Sequence, residues 1–116
     1  MTMKNRAIYS LYPNAVSIGG DAEIVLDAND SDITSTIDMD AVETKAAELL
    51  TAQNLIDLRK ERNLRLQETD WVVIKEREEG GSVSNFADWK TYRQALRDIT
   101  DSATSLDDVT WPEKPE

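Results

Sequence analysis

Between Ala41 and Gln67 the chain contains neither Gly nor Pro, and nearly every residue is a good helix former. That run commits the middle of the chain to one long helix. Thr36 or Asp38 opens it, and with Asp38 as N-cap, Asp40 and Glu43 fall in the first turns, where carboxylates suit the positive end of a helix. Met39, Val42, Ala46, Leu49 and Leu50 form one apolar stripe, but Leu55, Ile56 and Leu58 spread around the cylinder, so the apolar face widens toward the middle. A face of that width touches two things. The ordinary pair is a sheet on one side and a C-terminal helix on the other; the alternative is a client protein or a second copy of the chain. Gln53, Lys60 and Asn63 interrupt any a/d series, which argues against a coiled coil.

Ahead of the helix the pattern shortens. Residues 1–5 read as a frayed leader, and Arg6 to Tyr12 as a strand closed by the turn pair Pro13-Asn14. Ala15 to Ile18 is its natural partner, Gly19-Gly20-Asp21 turns the chain, and Glu23 to Leu26 adds a third short strand. The fold class expected is α+β: a small N-terminal antiparallel β-sheet or meander, then a long helix and a C-terminal helix forming a helical hairpin. The division follows as 1–37 for short strands and an acidic loop, 38–100 for the helical hairpin region, and 101–116 for an acidic C-terminal tail. Asp27, Asn29, Asp30 and Asp32 alternate like calcium-loop ligands, but a loop opened by Asp27 has Asp32 where the sixth-position Gly belongs and Asp38 where a Glu belongs. A solvated acidic loop is the expectation there, with no metal and no cofactor.

Charge and composition exclude more. With 13 basic and 23 acidic residues the net charge is −10, which argues against a phosphate backbone or an anionic membrane as partner. An acidic mimic of DNA would share that charge, but here acids and bases are interspersed through the helical part. The chain has no Cys and no His, so thiol and imidazole catalysis and the usual zinc site are absent. Chance carboxylate pairs such as Glu68 and Asp70 abound in so acidic a chain and do not make an enzyme. No apolar run approaches the length of a membrane span and no signal-peptide core opens the sequence, so a soluble protein kept in the cytoplasm of the producing cell is expected.

With 6% aromatic residues, each aromatic matters, and most of the large ones fall between Arg62 and Thr100. Phe86, Trp89, Tyr92, Leu96 and Ile99 recur at three- and four-residue steps, with Ser84 or Asn85 as N-cap and Asp88 in the first turn. Arg93 and Arg97 lie on the other side, suited to the helix dipole and to pairing with Asp101 or the carboxylates after it. Upstream, Leu64, Leu66 and Trp71 end the long helical segment, and Thr69 and Asp70 can cap a new turn. Trp71 and Trp89 are large enough to close a two-helix hairpin between them. Arg59-Lys60-Glu61-Arg62 and Arg65 read as a solvated face with intrahelical ion pairs, or otherwise as a docking patch for an acidic segment. Lys75 to Glu79 with Gly80-Gly81-Ser82 reads as an exposed charged linker. The tail is mobile or pinned by Trp111 alone, which makes Trp111 a candidate anchor.

These residues carry a resemblance. Arg62-Asn63 with Leu64 and Leu66, then Thr69-Asp70-Trp71, a linker, Trp89, the run Tyr92-Arg93-Gln94-Ala95-Leu96-Arg97-Asp98 and a late Trp111-Pro112 resemble the phage tail assembly chaperone domain, over about half of the chain. That family also occurs at the ends of tail-fibre and tail-fibre-assembly proteins. The pairing of TDW with YRQALRD is far more specific than either piece. Relatives commonly carry a Pro-containing linker after TDW, where this chain has Val72 to Glu76 and then Gly80-Gly81. Leu11-Tyr12-Pro13-Asn14 looks like the opening of small phage tail proteins.

The resemblance implies a non-enzymatic phage protein that assists tail or tail-fibre assembly by binding a structural subunit. Trp71, Trp89, Tyr92, Arg93 and Trp111 are the candidate partner-binding residues, with core packing as the competing role for the first three. The expected partner is a phage tail or tail-fibre structural protein, with a homo-oligomer as a further option and neither nucleic acid nor membrane. The alternative is a structural virion adaptor or fibre-associated module. The corresponding location is the host cytoplasm during infection, or the virion for the adaptor.

Overall fold

The computed structural model describes residues 1–116. Helix α1 spans Met3–Leu11, strands β1 and β2 span Ser17–Gly19 and Ile24–Leu26, helix α2 spans Met39–Gln67, α3 spans Asp70–Glu79 and α4 spans Phe86–Arg97. The α+β class holds, with a two-stranded antiparallel sheet near the N-terminus followed by the long helix and the C-terminal helix. The chain divides into two compact units, residues 1–52 and 53–116, and α2 supplies residues to each.

In the first unit the segment expected as an opening strand is instead helix α1, and the residues expected to fray lie partly inside it. The reason is local. Thr2 caps the helix by accepting the Asn5 N–H at 3.1 Å, and Ala7 and Ile8 lie fully buried on one face, a spacing that a helix satisfies and an alternating strand does not. Pro13 stops it as expected, in a turn with Asn14. Asn5 then ties the helix to the hairpin: its side chain donates to the Gly20 carbonyl at 3.0 Å and accepts the Ala22 N–H at 2.9 Å. Strands β1 and β2 pair with Ile18 opposite Val25, and the turn between them needs positive φ at Gly20 and Ala22. Ala7, Ile8, Ala15, Val25, Ile37 and Val42 form the core of this unit. The acidic loop folds on itself, Asp27 Oδ1 accepting the N–H groups of Asn29 and Ser31. Asp38 caps α2 as the sequence implies, accepting the N–H groups of Asp40 and Ala41.

In the second unit α2 ends where Glu68 and Thr69 break the helix, and α3 starts at Asp70. Residues 75–79, expected as a linker, are the last turns of α3, because Lys, Glu and Arg are strong helix formers and nothing stops the helix before Gly80. Gly80 takes the left-handed conformation with φ of 59°, and Gly80 and Gly81 N–H groups both reach the Glu76 carbonyl, which ends the helix. The true linker is the short stretch to Asn85, fastened where the Val83 N–H donates to Glu76 Oε2 at 2.9 Å. α3 and α4 then face each other as a hairpin. Val72, Trp89, Tyr92 and Leu96 form its core, with Leu66, Val83, Phe86 and Trp111 packed around them.

Candidate functional site

The hairpin of the second unit joins two distant pieces of sequence through one side chain. Arg93, on α4, aims Nη1 at the break between α2 and α3, where it donates to the Leu66 carbonyl at 3.0 Å, Thr69 Oγ1 at 2.7 Å and Asp70 Oδ1 at 2.9 Å. The guanidinium group is largely covered, with a side-chain exposure of 13%. Thr69 is fully buried, and its hydroxyl donates in turn to the Leu66 carbonyl at 2.9 Å. A buried hydroxyl left alone would be costly, so the break in the helix and the arginine satisfy each other. Neither Thr69 nor Asn85 makes the side-chain cap expected from sequence. Thr69 turns back to Leu66, and Asn85 Oδ1 accepts the Trp89 indole N–H at 3.1 Å while its Nδ2 donates to the Glu116 carbonyl at 2.8 Å.

The aromatic residues form a chain across the hairpin. Trp71 meets Trp89 edge to face with ring centroids 6.1 Å apart, and Trp89 meets Tyr92 in the same manner at 6.3 Å. The proximity of Trp71 and Trp89 expected from sequence is therefore present. The burial of the three differs: Trp89 and Tyr92 are 5% and 4% exposed, whereas Trp71 is 54% exposed and its neighbour one turn on, Ile74, 55%. After Asp70, helix α3 carries four consecutive apolar residues, Trp71 to Ile74, and a helix that covers only one side in a hairpin leaves the others in water. Val72 faces in, Val73 is half-buried, and Trp71 with Ile74 makes an outward apolar ridge.

Trp111 is half-buried rather than free, and the Arg65 guanidinium lies 4.1 Å from its ring centroid. It does not hold the tail alone. Asp108 accepts the N–H groups of Thr104 and Ser105, Ala103 is buried, and Lys114 approaches Glu68 at 3.9 Å. The hydroxyl and backbone N–H of Thr104, with the N–H of Ser105, hold the Asp108 carboxyl below the usual aspartate range. Of the basic cluster, Arg65 makes the expected intrahelical pair with Glu61 at 3.1 Å, while Arg62 donates to the Arg97 carbonyl at 3.3 Å, one of the free carbonyls at the end of α4. Arg93 pairs with Asp70 rather than with Asp101 or the acids beyond it.

The two pieces brought together by Arg93 and the tryptophans are the TDW and YRQALRD segments. The profile of the family described as phage tail assembly chaperone protein matches residues 55–116, just over half of the chain. The chain belongs to the phage tail assembly chaperone family. Membership gives it a role in tail assembly. Comparison with curated proteins and with solved structures yields no match. The matched chaperone segment takes in the latter part of α2, all of α3 and α4 and the tail, which is nearly the whole of the second unit. Sequence reasoning passed over Ile74, although its three-residue spacing from Trp71 was the available signal.

Proposed function

We propose that the protein binds a tail or tail-fibre structural subunit in the host cytoplasm, without catalysis, and keeps an apolar face of that subunit covered until it assembles. The observation that carries this reading is the ridge of Trp71 and Ile74, both more than half exposed on a helix whose inner side is fully packed. Exposed large apolar side chains grouped on one helix mark a contact surface. Covering the exposed half of an indole removes about 100 Å² from water, worth about 2–3 kcal/mol. Trp71 thus supplies the anchor, with Trp89 and Tyr92 setting its position from beneath, Arg93 fixing the helix that bears it, and Trp111 holding the tail beside the same core. A net charge of −10 keeps the complex in solution.

The test is co-expression with the tail and fibre proteins of the same phage, capture of this chain, and comparison of its abundance there with that in purified particles. Capture of one soluble tail subunit with absence from particles is the expected result; a fixed ratio in particles would make the protein a structural adaptor instead. Trp71→Ser should weaken capture by about 30-fold, the equivalent of about 2 kcal/mol, while circular dichroism stays that of the parent. Unaltered capture would remove Trp71 from the contact.

A further inference from the structure

A hollow beside the ridge has a different chemistry from the rest of this acidic protein. It is lined by Val73, Phe86 and the α4 residues Lys90, Arg93, Gln94 and Arg97, with Thr91 at its edge, and encloses about 480 Å³. Its lining carries three cations and no carboxylate. Three other hollows carry carboxylates: Asp88, Glu113 and Glu116 beside the tail, Asp21 and Glu43 in the first unit, and Asp57 with Asp107 in the second.

Of the three cations, Arg93 is neutralised by Asp70. Lys90 and Arg97 have no carboxylate within ion-pair distance; Lys90 Nζ sits 5.9 Å from the Phe86 ring centroid and Arg97 makes only a long bond of 3.4 Å to Gln94 Oε1. In a chain with ten more acids than bases, two unpaired cations flanking an apolar floor are a local reversal of sign. Phe86, Lys90, Arg93 and Arg97 follow one another at helical steps, so the reversal is a continuous stripe along α4 rather than a scatter of side chains.

We propose that this groove receives an acidic segment of the tail subunit, in which an aromatic or aliphatic side chain enters over Phe86 and Val73 while flanking Asp or Glu carboxylates pair with Lys90 and Arg97. The proposal rests on the reading that the hairpin binds such a subunit, and it adds the chemistry of what is bound. The charge complementarity also favours this occupant over a basic one: Lys90 and Arg97 attract flanking carboxylates and repel a segment that carries Lys or Arg.

The probe is a blocked, fluorescently labelled peptide with Phe and Leu set between Asp and Glu residues, titrated with the full chain and followed by anisotropy. Controls replace the acids by Lys or the Phe-Leu pair by Ser. The acidic apolar peptide should bind, both controls should bind at least about tenfold more weakly, and added salt should weaken binding because the pairs are at the surface. Lys90→Glu with Arg97→Glu should reduce binding by more than about tenfold, and Lys90→Gln with Arg97→Gln by less, with the helical signal of each variant unchanged. Backbone amide shifts on titration should centre on Phe86 to Arg97. Equal binding of the basic peptide, an unaffected charge-reversed pair, or shifts centred elsewhere would overturn the proposal. So would self-association abolished by the same charge reversal, since the groove would then hold a second copy. If the charge-reversed chain still captures its tail subunit, this inference fails and the proposed function stands; if the parent chain captures none, the proposed function fails.

Discussion

Replacing Arg93 by Met keeps most of the aliphatic stem and removes the donor that three acceptors share. The loss can be worked from the geometry. Hydrogen bonds to a charged group contribute about 1.5–3 kcal/mol, and the pair with Asp70 adds at most about 1 kcal/mol because that carboxylate is half-exposed, at 53%, and screened by water. The cost of breaking a fully buried pair, about 3–5 kcal/mol, is not reached: Asp70 rehydrates, and the Leu66 carbonyl retains the Thr69 hydroxyl at 2.9 Å. Arg93→Met should therefore destabilise the second unit by about 2 kcal/mol. All three acceptors converge on Nη1 alone, so the arginine acts as a point donor and not as a two-pronged fork. An ammonium group can replace a point donor, and Arg93→Lys should cost about 1 kcal/mol or less, unlike the same exchange at a bidentate site. The three tryptophans lie at 71, 89 and 111, so intrinsic fluorescence during urea unfolding follows the second unit. The midpoint should fall by about 1 M in Arg93→Met, and a double-mutant cycle with Thr69→Val should show coupling of about 1 kcal/mol. A midpoint indistinguishable from the parent, or Lys as damaging as Met, would refute the assignment of the network as the clamp between α4 and the helix break.

Leu96→Ala empties a fully buried position and should cost about 2–5 kcal/mol, which in a unit of this size lowers the melting temperature by more than about 10 °C; calorimetry measures it. Trp111→Ala removes the ring beneath Arg65 and should raise the rate of proteolysis within residues 104–116 several-fold while leaving the helical signal intact, as limited digestion followed by mass spectrometry would show. Asp108 carries a depressed carboxyl, so what its bonds contribute is fully present above the ordinary aspartate value of 3.8 and is lost as pH falls through the lower folded value. The amide resonances of Thr104 and Ser105 should therefore hold their positions as the pH falls through 3.8 and move only below it; movement centred above that value would contradict the hydrogen-bonded loop.

Much of the helical unit was legible because its signals are local. Asp38 as a cap, the stripe from Phe86 to Leu96 and the meeting of Trp71 with Trp89 follow from spacing and size alone. Helix α1 was not recognised, because Ile8 and Tyr9 favour strands by propensity, and the bonds from Asn5 to Gly20 and Ala22 that seat the helix join residues far apart in sequence. The charged end of α3 looked like a linker for a similar reason: charge suggests exposure, but an exposed segment of Lys, Glu and Arg is also a good helix, and only Gly80 marks its end. Arg93 illustrates the limit of local reasoning most clearly. Its place toward the C-terminal end of the helix suggested pairing with Asp101 or the carboxylates after it, yet its partner lies 23 residues upstream, at a helix break whose direction no periodicity encodes.

The ridge of Trp71 and Ile74 stands on a helix already held from below by interlocked rings and from one end by the arginine clamp. A contact made there begins from an ordered surface, so little freedom is surrendered on association and water released from apolar area dominates the exchange. Calorimetric titration against a client would then show a negative heat-capacity change without the large enthalpy that accompanies a segment folding as it binds. Release at assembly would likewise need only a competing apolar neighbour in the growing tail, and no unfolding of the carrier.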